Sequence, residues 1–283
     1  MSHTPPRLYI TTRDPRDGGG VATIARFVYE IASQAGYNPC LVANSLDRTD
    51  RIGPFDRLGW SPDEVVTRDR IEDLEVKLIP LILPQVEFTQ YVLNYPAWRA
   101  AMADGDLYFA VGGTNLCTQP LVRMGVPFGS WVATLLWEDR IDRLRSAPVV
   151  ERVRDRVSRP LLEVFERRGY QAANPCLVLS RHTAAAVAKK YDLDRERLDV
   201  VPYPIDTSTF TPDGPAQPVE RPVVLFAGRL NDPRKNVRLL IEAFDQVAQS
   251  KPDAELWLIG ADPDNALRAA IERAGVSTRI KTP

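Results

Sequence analysis

The sequence is poor in the residues that build disulfide frameworks, metal centres and hydrolase triads. It contains three cysteines, Cys40, Cys117 and Cys176, and two histidines, His3 and His182. Widely spaced cysteines in an odd number fit buried thiols in a reducing compartment. A His-rich metal site is not expected. His182 is the only candidate for a triad histidine, but no Gly-x-Ser-x-Gly elbow accompanies it, so we interpret it as a surface or helix-start residue.

Long apolar runs and an excess of one charge are also missing. No apolar run approaches the ~20 residues that span a bilayer, and residues 1–6 lack the basic-then-apolar order of a signal peptide. The 36 Lys and Arg against 37 Asp and Glu give a formal charge of −1. Such a chain has no overall field that attracts nucleic acid. The sequence therefore predicts a cytoplasmic protein without a nucleic-acid partner.

The chain does have enough apolar material for a sizeable core, because 44% of its 283 residues are hydrophobic. Short apolar runs alternate with amphipathic segments, which predicts an α/β fold with a mainly parallel sheet. Strands are predicted over residues 8–12, 40–43, 76–83, 107–111, 127–136, 176–179, 199–202, 223–228 and 255–260. Helices are predicted over residues 21–35, 116–124, 181–191 and 265–274 and from 237 onwards, with Ser180 and Asn236 as N-caps. Residues 44–70 are predicted to be irregular.

The segment 138–168 is dense in charge, with nine arginines and seven acidic residues. Apolar residues recur in it three to four positions apart, at Val150, Val153, Val157, Leu161 and Phe165. This spacing predicts either a helical hairpin or one long helix bent at Pro160, with a solvated face.

A change of composition indicates a domain boundary. Five prolines lie between Pro204 and Pro222, with few large apolar residues among them. Such a stretch is typical of a linker. We therefore predict a first domain over 1–203, a linker over 204–221 and the start of a second domain over 222–283.

Three predicted strand-to-helix loops contain residues suited to chemistry. Gly18, Gly19 and Gly20 precede a helix, where close backbone approach and free N–H groups suit an anion, although a tight turn without ligand explains them equally well. Arg229 and Lys235 flank the start of another helix, where two cations suit a diphosphate, and a solvated loop is the alternative. Glu138 and Asp139 follow a strand as carboxylates that could orient a hydroxyl, or simply favour a helix N-terminus.

These segments in this order resemble glycosyltransferase family 4, of the two-domain GT-B type. Residues 17–21 (Asp-Gly-Gly-Gly-Val) resemble the glycine-rich loop on the acceptor side, and residues 200–210 resemble the segment between the domains. Residues 226–230 (Phe-Ala-Gly-Arg-Leu) and the Lys235-Asn236 pair resemble the opening of the donor domain. Residues 177–181, 241–244 and 252–260 carry the resemblance further.

The resemblance implies two Rossmann-like parallel-sheet domains and transfer of a sugar from a nucleotide-sugar, with retention and without a metal ion or cofactor. Arg229 and Lys235 would hold the donor diphosphate and stabilise the leaving group, and Gly18, Gly19 and Gly20 would lie near the acceptor or the donor phosphates. The acceptor would be a glycan, a lipid or a small molecule, which leaves a peripheral membrane contact open.

The sequence departs from the family at three places. Tyr203-Pro204 replaces the Asn-Gly of the segment between the domains. Many members have a histidine just before position 137, where this chain has Leu136, so Glu138 or Asp139 is assigned to that catalytic position. The Glu-x7-Glu segment that contacts the donor sugar does not occur in this chain, which implies that the chain ends midway through the donor domain. The alternative function is therefore a non-catalytic module that binds a nucleotide-sugar or a glycan.

Overall fold

A computed structural model describes residues 4–45, 66–81, 89–92, 94–145, 147–211 and 221–282. The chain forms two compact units. Unit 1 comprises Met1–Ile141 and Ala147–Ile205, and unit 2 comprises Asp142–Ser146 and Asp206–Pro283. The division at 203 and 222 stays a prediction, and residues 212–220 of the predicted linker lie outside the described residues.

The described part of unit 1 is built on an eight-stranded sheet in the order β3-β4-β2-β1-β5-β6-β7-β8. All neighbouring strands are parallel except β3 and β4, which are antiparallel. The strands are β1 Arg7–Arg13, β2 Asn38–Asn44, β3 Thr67–Ile71, β4 Leu74–Ile79, β5 Leu107–Gly112, β6 Gly129–Val132, β7 Cys176–Val178 and β8 Leu198–Val200. The helices are α1 Gly19–Gln34, α2 Thr89–Val92, α3 Tyr95–Ala101, α4 Gln119–Met124, α5 Leu136–Arg145, α6 Val149–Ala172 and α7 Arg181–Tyr191. The predicted α/β class with a mainly parallel sheet is confirmed.

The central strands are apolar on both faces because helices cover both sides of the sheet. Cys40 and Val42 of β2 belong to one core cluster, while Leu41 and Ala43 belong to another. All three cysteines are free and buried. The predicted burial of the thiols is confirmed, and burial raises the pKa of Cys40 to about 12.

Two strand predictions in unit 1 are wrong. Residues 67–70 belong to β3, although they fall in the stretch predicted to be irregular. This edge strand is charged and mostly exposed, so it carries no apolar alternation to reveal it. The strand predicted over 127–136 is only β6, and Leu136 instead begins α5, because its apolar side chain is equally suited to a buried helix start.

The segment 138–168 forms two helices, α5 and α6, with Pro160 inside α6. Arg140 and Asp155 join them, with 2.6 Å between the guanidinium and the carboxylate, and both side chains are buried. Arg159 binds the other Asp155 oxygen at 2.5 Å. Buried charges need such partners, so the Arg140–Asp155 pair fixes α5 against α6, while Arg159 binds Asp155 within α6.

Unit 2 contains a three-stranded parallel sheet in the order β11-β10-β9. Its elements are β9 Val223–Ala227, α8 Val237–Ser250, β10 Glu255–Ile259, α9 Asn265–Arg273 and β11 Ile280–Lys281. Val237, Ile241 and Phe244 of α8 pack with Leu256 and Leu258 of β10 in one core. Val247, which lies at the spacing of that inner face, is 41% exposed instead, and Ala248 is buried in its place.

Candidate functional site

The strand order of unit 1 places a topological switch point beside β1. β1 pairs with β2 on one side and with β5 on the other, so the connections leaving these strands run in opposite directions. In open α/β sheets, ligands bind outside the carboxyl ends of the strands at such a point. The glycine loop follows the carboxyl end of β1 and therefore lies at this crevice.

The three glycines of this loop serve different purposes. Gly18 has φ +62° and Gly19 has φ +76°, and a Cβ at either position would meet nothing within 4 Å. Their conformation, not crowding, requires glycine. Gly20 is different, because a Cβ there would lie 1.7 Å from the Tyr203 hydroxyl. The first turn of α1 has no side-chain cap, so its N–H groups face the crevice in the way an anion site requires.

The loops that follow β5 and β6 contact each other, and the β5 loop lies close to the first turn of α1. The Thr134 N–H after β6 donates to the Gly113 carbonyl after β5 at 2.9 Å. A Cβ on Gly113 would in turn lie 3.7 Å from Val21 of α1. The carboxyl ends of β1, β5 and β6 therefore share one edge of unit 1.

Glu138 lies at this same edge, in the first turn of α5. Its carboxylate is 3.3 Å from the Thr134 hydroxyl and 3.1 Å from His182 Nε2. His182 is the second residue of α7, which begins at the Ser180 cap, and its side chain is 79% exposed. The predicted surface, helix-start position of His182 is confirmed. Its pairing with Glu138 was not predicted, because the two residues are 44 positions apart and no local spacing joins them.

A buried carboxylate holds the start of α5. Glu166 of α6 accepts the Leu136 N–H at 2.8 Å and the Tyr191 hydroxyl at 2.5 Å. Burial raises the pKa of Glu166, and these two donors oppose the shift. Glu166 therefore fixes the turn that contains Glu138 and Asp139, the latter half-buried with its N–H bound to the Leu135 carbonyl at 3.0 Å.

Unit 2 has its own candidate loop between β9 and α8. Arg229 is 71% exposed at the side chain and lies 3.9 Å from the Asp232 carboxylate. Lys235 is exposed, and no ion pair of Lys235 occurs among the described residues. Asp232 instead binds Arg234 at 2.9 Å, and that hydrogen bond lowers the pKa of Asp232. The loop therefore presents Lys235 to solvent beside the first turn of α8.

Asn231 joins this loop to the next one. Its amide donates to the Asp262 carbonyl at 2.8 Å, and its amide oxygen accepts the Asp264 N–H at 2.9 Å. Asp264 caps α9 through the Leu267 N–H at 2.7 Å. The loops that follow β9 and β10 are thereby held in one arrangement.

Asn236 occupies the predicted N-cap position of α8 but does not act as predicted. Its backbone is left-handed, with φ +47°, and its side chain makes no capping hydrogen bond. Asparagine tolerates this conformation better than most residues. With no side-chain cap, the first N–H groups of α8 are available to a ligand.

The residues described by the structure contain no group of three or more His, Cys, Asp or Glu that could hold a metal ion. No helix among those residues is long and apolar enough to cross a membrane.

Comparison with known proteins adds to this geometry. Residues 221–282 match the family model described as Glycosyl transferases group 1. The phosphatidyl-myo-inositol mannosyltransferase of Mycobacterium tuberculosis is 28% identical over 109 residues, which are 36% of this chain and 28% of that protein. The match thus spans less than a third of the length of that relative.

Solved structures resemble nearly the whole chain. Anabaena HepE in complex with UDP and glucose superposes with a TM-score of 0.61 at 16% identity, over 98% of this chain and 68% of that one. WaaG, a glycosyltransferase involved in lipopolysaccharide biosynthesis, gives 0.60 at 14% identity, over 98% of this chain and 69% of that one. The chain therefore has the GT-B type of fold that these structures share. In this fold the β9–α8 loop with Arg229 and Lys235 belongs to the segment that matches the family model.

Proposed function

We propose that the protein is a glycosyltransferase that moves a sugar from a nucleotide-sugar donor to a glycan, lipid or small-molecule acceptor. The main support for this proposal is the composition and exposure of the β9–α8 loop. It exposes Arg229 and Lys235 beside an uncapped helix start, within the segment that matches the group 1 glycosyltransferases. A diphosphate is the ligand that such a combination suits.

The proposed chemistry depends on charge at the leaving group. When the bond between the anomeric carbon and the donor phosphate breaks, negative charge develops on the departing nucleoside diphosphate. Arg229 can meet it with two N–H donors and Lys235 with a compact ammonium. Because Asp232 is held by Arg234, it leaves Lys235 free for this charge. Stabilisation aimed at developing charge is a major source of catalysis.

Unit 1 supplies the acceptor side in this proposal. The glycine loop offers backbone N–H groups at the switch point, and Glu138 offers a carboxylate at the same sheet edge. Glu138 or Asp139 would orient the acceptor hydroxyl. Retention of the anomeric configuration and independence of a metal ion are part of the proposal, as is a cytoplasmic location.

Calorimetric titration with UDP, GDP and ADP and their glucose or mannose conjugates tests donor recognition. We expect saturable binding of one nucleotide class. No saturation with any of these nucleotides would contradict the proposal.

A second measurement tests turnover. Release of nucleoside diphosphate that depends on an added acceptor would support transfer by this chain. Binding without any release across a panel of glycan and lipid acceptors would instead favour the non-catalytic nucleotide-sugar-binding module.

A further inference from the structure

The long helix α6 exposes a stripe of large apolar side chains. Exposed residues recur along it at helical spacing, and their exposed fractions run from 40% at Leu161 to 76% at Val150 and Val157. The stripe consists of Val149, Val150, Val153, Val157, Leu161 and Val164. At about 100° per residue these positions occupy roughly one third of the helix circumference, over a length of about 22 Å. We call this set the α6 stripe.

The opposite side of α6 is the one that faces the core of unit 1. Leu162, Gly169 and Tyr170 are buried there, together with Asp155 and Glu166. The apolar residues that recur at helical spacing in the sequence therefore lie mainly on the solvent side of α6. A soluble helix ordinarily buries its apolar face, so a second, outward apolar face indicates a surface that something covers.

Most carboxylates of α6 are buried or paired. Asp155 binds Arg140 and Arg159, Glu166 is buried, and Glu163 binds Lys190 at 2.8 Å. Glu151, in the first turn of α6, is exposed. Outward-facing arginines flank the stripe on both sides, at Arg152, Arg154, Arg156, Arg167 and Arg168. A chain of net charge −1 thus carries a local basic surface around an apolar stripe.

We infer that the α6 stripe and its flanking arginines dock on an anionic lipid surface. A helix that lies in a membrane interface has an apolar face that enters the headgroup region and Lys or Arg that pair with anionic lipids. Long arginine side chains can reach the headgroups while their stems cover apolar surface. This inference does not depend on the proposed transferase activity.

The charge pattern disfavours two other occupants. In a symmetric dimer the same patch faces itself, so arginines at both flanks would oppose arginines. A nucleic acid would use the arginines but gain little from six apolar side chains, since its affinity comes from phosphate neutralisation. An anionic lipid surface would contact both the apolar residues of the α6 stripe and the arginines that flank it.

Vesicle co-sedimentation tests the inference with the full chain. We expect binding to phosphatidylcholine vesicles that contain phosphatidylglycerol, weak binding to pure phosphatidylcholine, and loss of binding at high salt. The double variant Arg154→Gln/Arg156→Gln should bind about 30-fold more weakly. The triple variant Val153→Gln/Val157→Gln/Leu161→Gln should bind about tenfold more weakly or worse.

A matched control uses exposed apolar residues elsewhere. Leu239 and Val247 of α8 are 57% and 41% exposed, and Leu239→Gln/Val247→Gln should leave vesicle binding unchanged. Circular dichroism checks that each variant folds. The salt dependence of vesicle binding is measured on the wild type alone, so it does not rely on the folding of any variant.

Several results would overturn the inference. These are no wild-type binding to anionic vesicles, equal binding to neutral ones, or α6 variants that bind as the wild type does. Concentration-dependent dimerisation that the triple variant abolishes would assign the stripe to a second copy instead. Duplex DNA binding that survives the triple variant but not the arginine variant would assign the surface to nucleic acid.

Discussion

The two units contain the same local turn at equivalent places. Asp14-Pro15-Arg16 follows β1, and Asp232-Pro233-Arg234 follows β9. Each aspartate accepts the N–H of its arginine at 3.1 Å and binds that arginine's guanidinium, at 2.6 Å in unit 1 and 2.9 Å in unit 2. Each proline lies in a short 3-10 turn that ends at a residue with positive φ, Gly18 or Asn236.

The difference lies in the residue that follows the arginine. Unit 1 has Asp17, which binds Arg13 at 2.8 Å, while unit 2 has the exposed Lys235. In unit 1 the carboxylate that follows the turn is therefore paired, and the glycine backbone supplies the polar groups of the loop. In unit 2 the loop presents an exposed cation. The shared turn is a scaffold, and the residue after its arginine decides whether the loop carries a paired carboxylate or an exposed cation.

The shared aspartates should differ most in what they contribute to stability. The Asp14 side chain is 1% exposed and that of Asp232 is 12% exposed. We expect Asp14→Ala to lower the free energy of unfolding by about 2–3 kcal/mol, because a buried carboxylate that accepts several charge-assisted hydrogen bonds from Arg16 is lost. Asp232→Ala should cost about 1 kcal/mol, because water replaces more of its contacts. Urea unfolding measures both, and equal losses would show that the two turns are energetically alike.

Substitution of the two residues with positive φ should change the unfolding free energy by unequal amounts. Gly18 has φ +62° and ψ −163°, a region that is essentially restricted to glycine, whereas Asn236 has φ +47° and ψ +46°, which asparagine tolerates. Gly18→Asn should cost about 1–2 kcal/mol of unfolding free energy. Asn236→Gly should change it by a few tenths of a kcal/mol. A tolerated Gly18→Asn would mean that the two turns end in the same backbone conformation.

Two carboxylates should give the units opposite responses to pH. The pKa of Glu166 is raised above its ordinary 4.5, so its protonated form favours folding and its contribution is lost as pH rises through the folded pKa. The pKa of Asp232 is lowered below its ordinary 3.8, so its contribution is present above that value and is lost as pH falls.

Glu166→Gln should therefore gain stability relative to the wild type as pH rises above 4.5. Asp232→Asn should lose stability relative to the wild type at neutral pH and match it more closely below pH 3.8. Urea midpoints measured across this pH range test both signs. Parallel curves for wild type and variants would contradict the assigned shifts.

The smallest effect is expected at the Glu138–His182 pair. Because the His182 side chain is 79% exposed, His182→Gln should change the unfolding free energy by less than about 0.5 kcal/mol. Thermal unfolding checks this. A larger loss would mean that the pair stabilises the sheet edge of unit 1 rather than merely lying on it.

The α/β class, most of the strands and the Ser180 cap could be predicted because apolar spacing and capping chemistry are local signals. The Ser180 hydroxyl accepts the Thr183 N–H at 3.0 Å, as a local cap should. β3 and β11 were missed, since a charged edge strand and a two-residue strand carry no apolar period.

The site was harder to predict than the fold. The cationic loop follows from its position after a strand, but Glu138 meets His182 only through the packing of α5 and α7. The repeated Asp-Pro-Arg was visible in the sequence as a signal for the shared turn, although only the hydrogen bonds show that the two copies are equivalent. The roles of Arg229, Lys235, Glu138, Asp139 and the three glycines stay predictions.

The proposed role of the β9–α8 loop is best tested by calorimetric titration of the tightest-binding nucleoside diphosphate against the wild type and three variants. We expect Arg229→Ala and Lys235→Ala each to weaken binding about 10- to 100-fold, in line with a lost charge-assisted hydrogen bond. Lys251→Ala, which removes an exposed cation beyond the other end of α8, should bind as the wild type does. Wild-type affinity in both Arg229→Ala and Lys235→Ala would show that the β9–α8 loop does not hold the diphosphate.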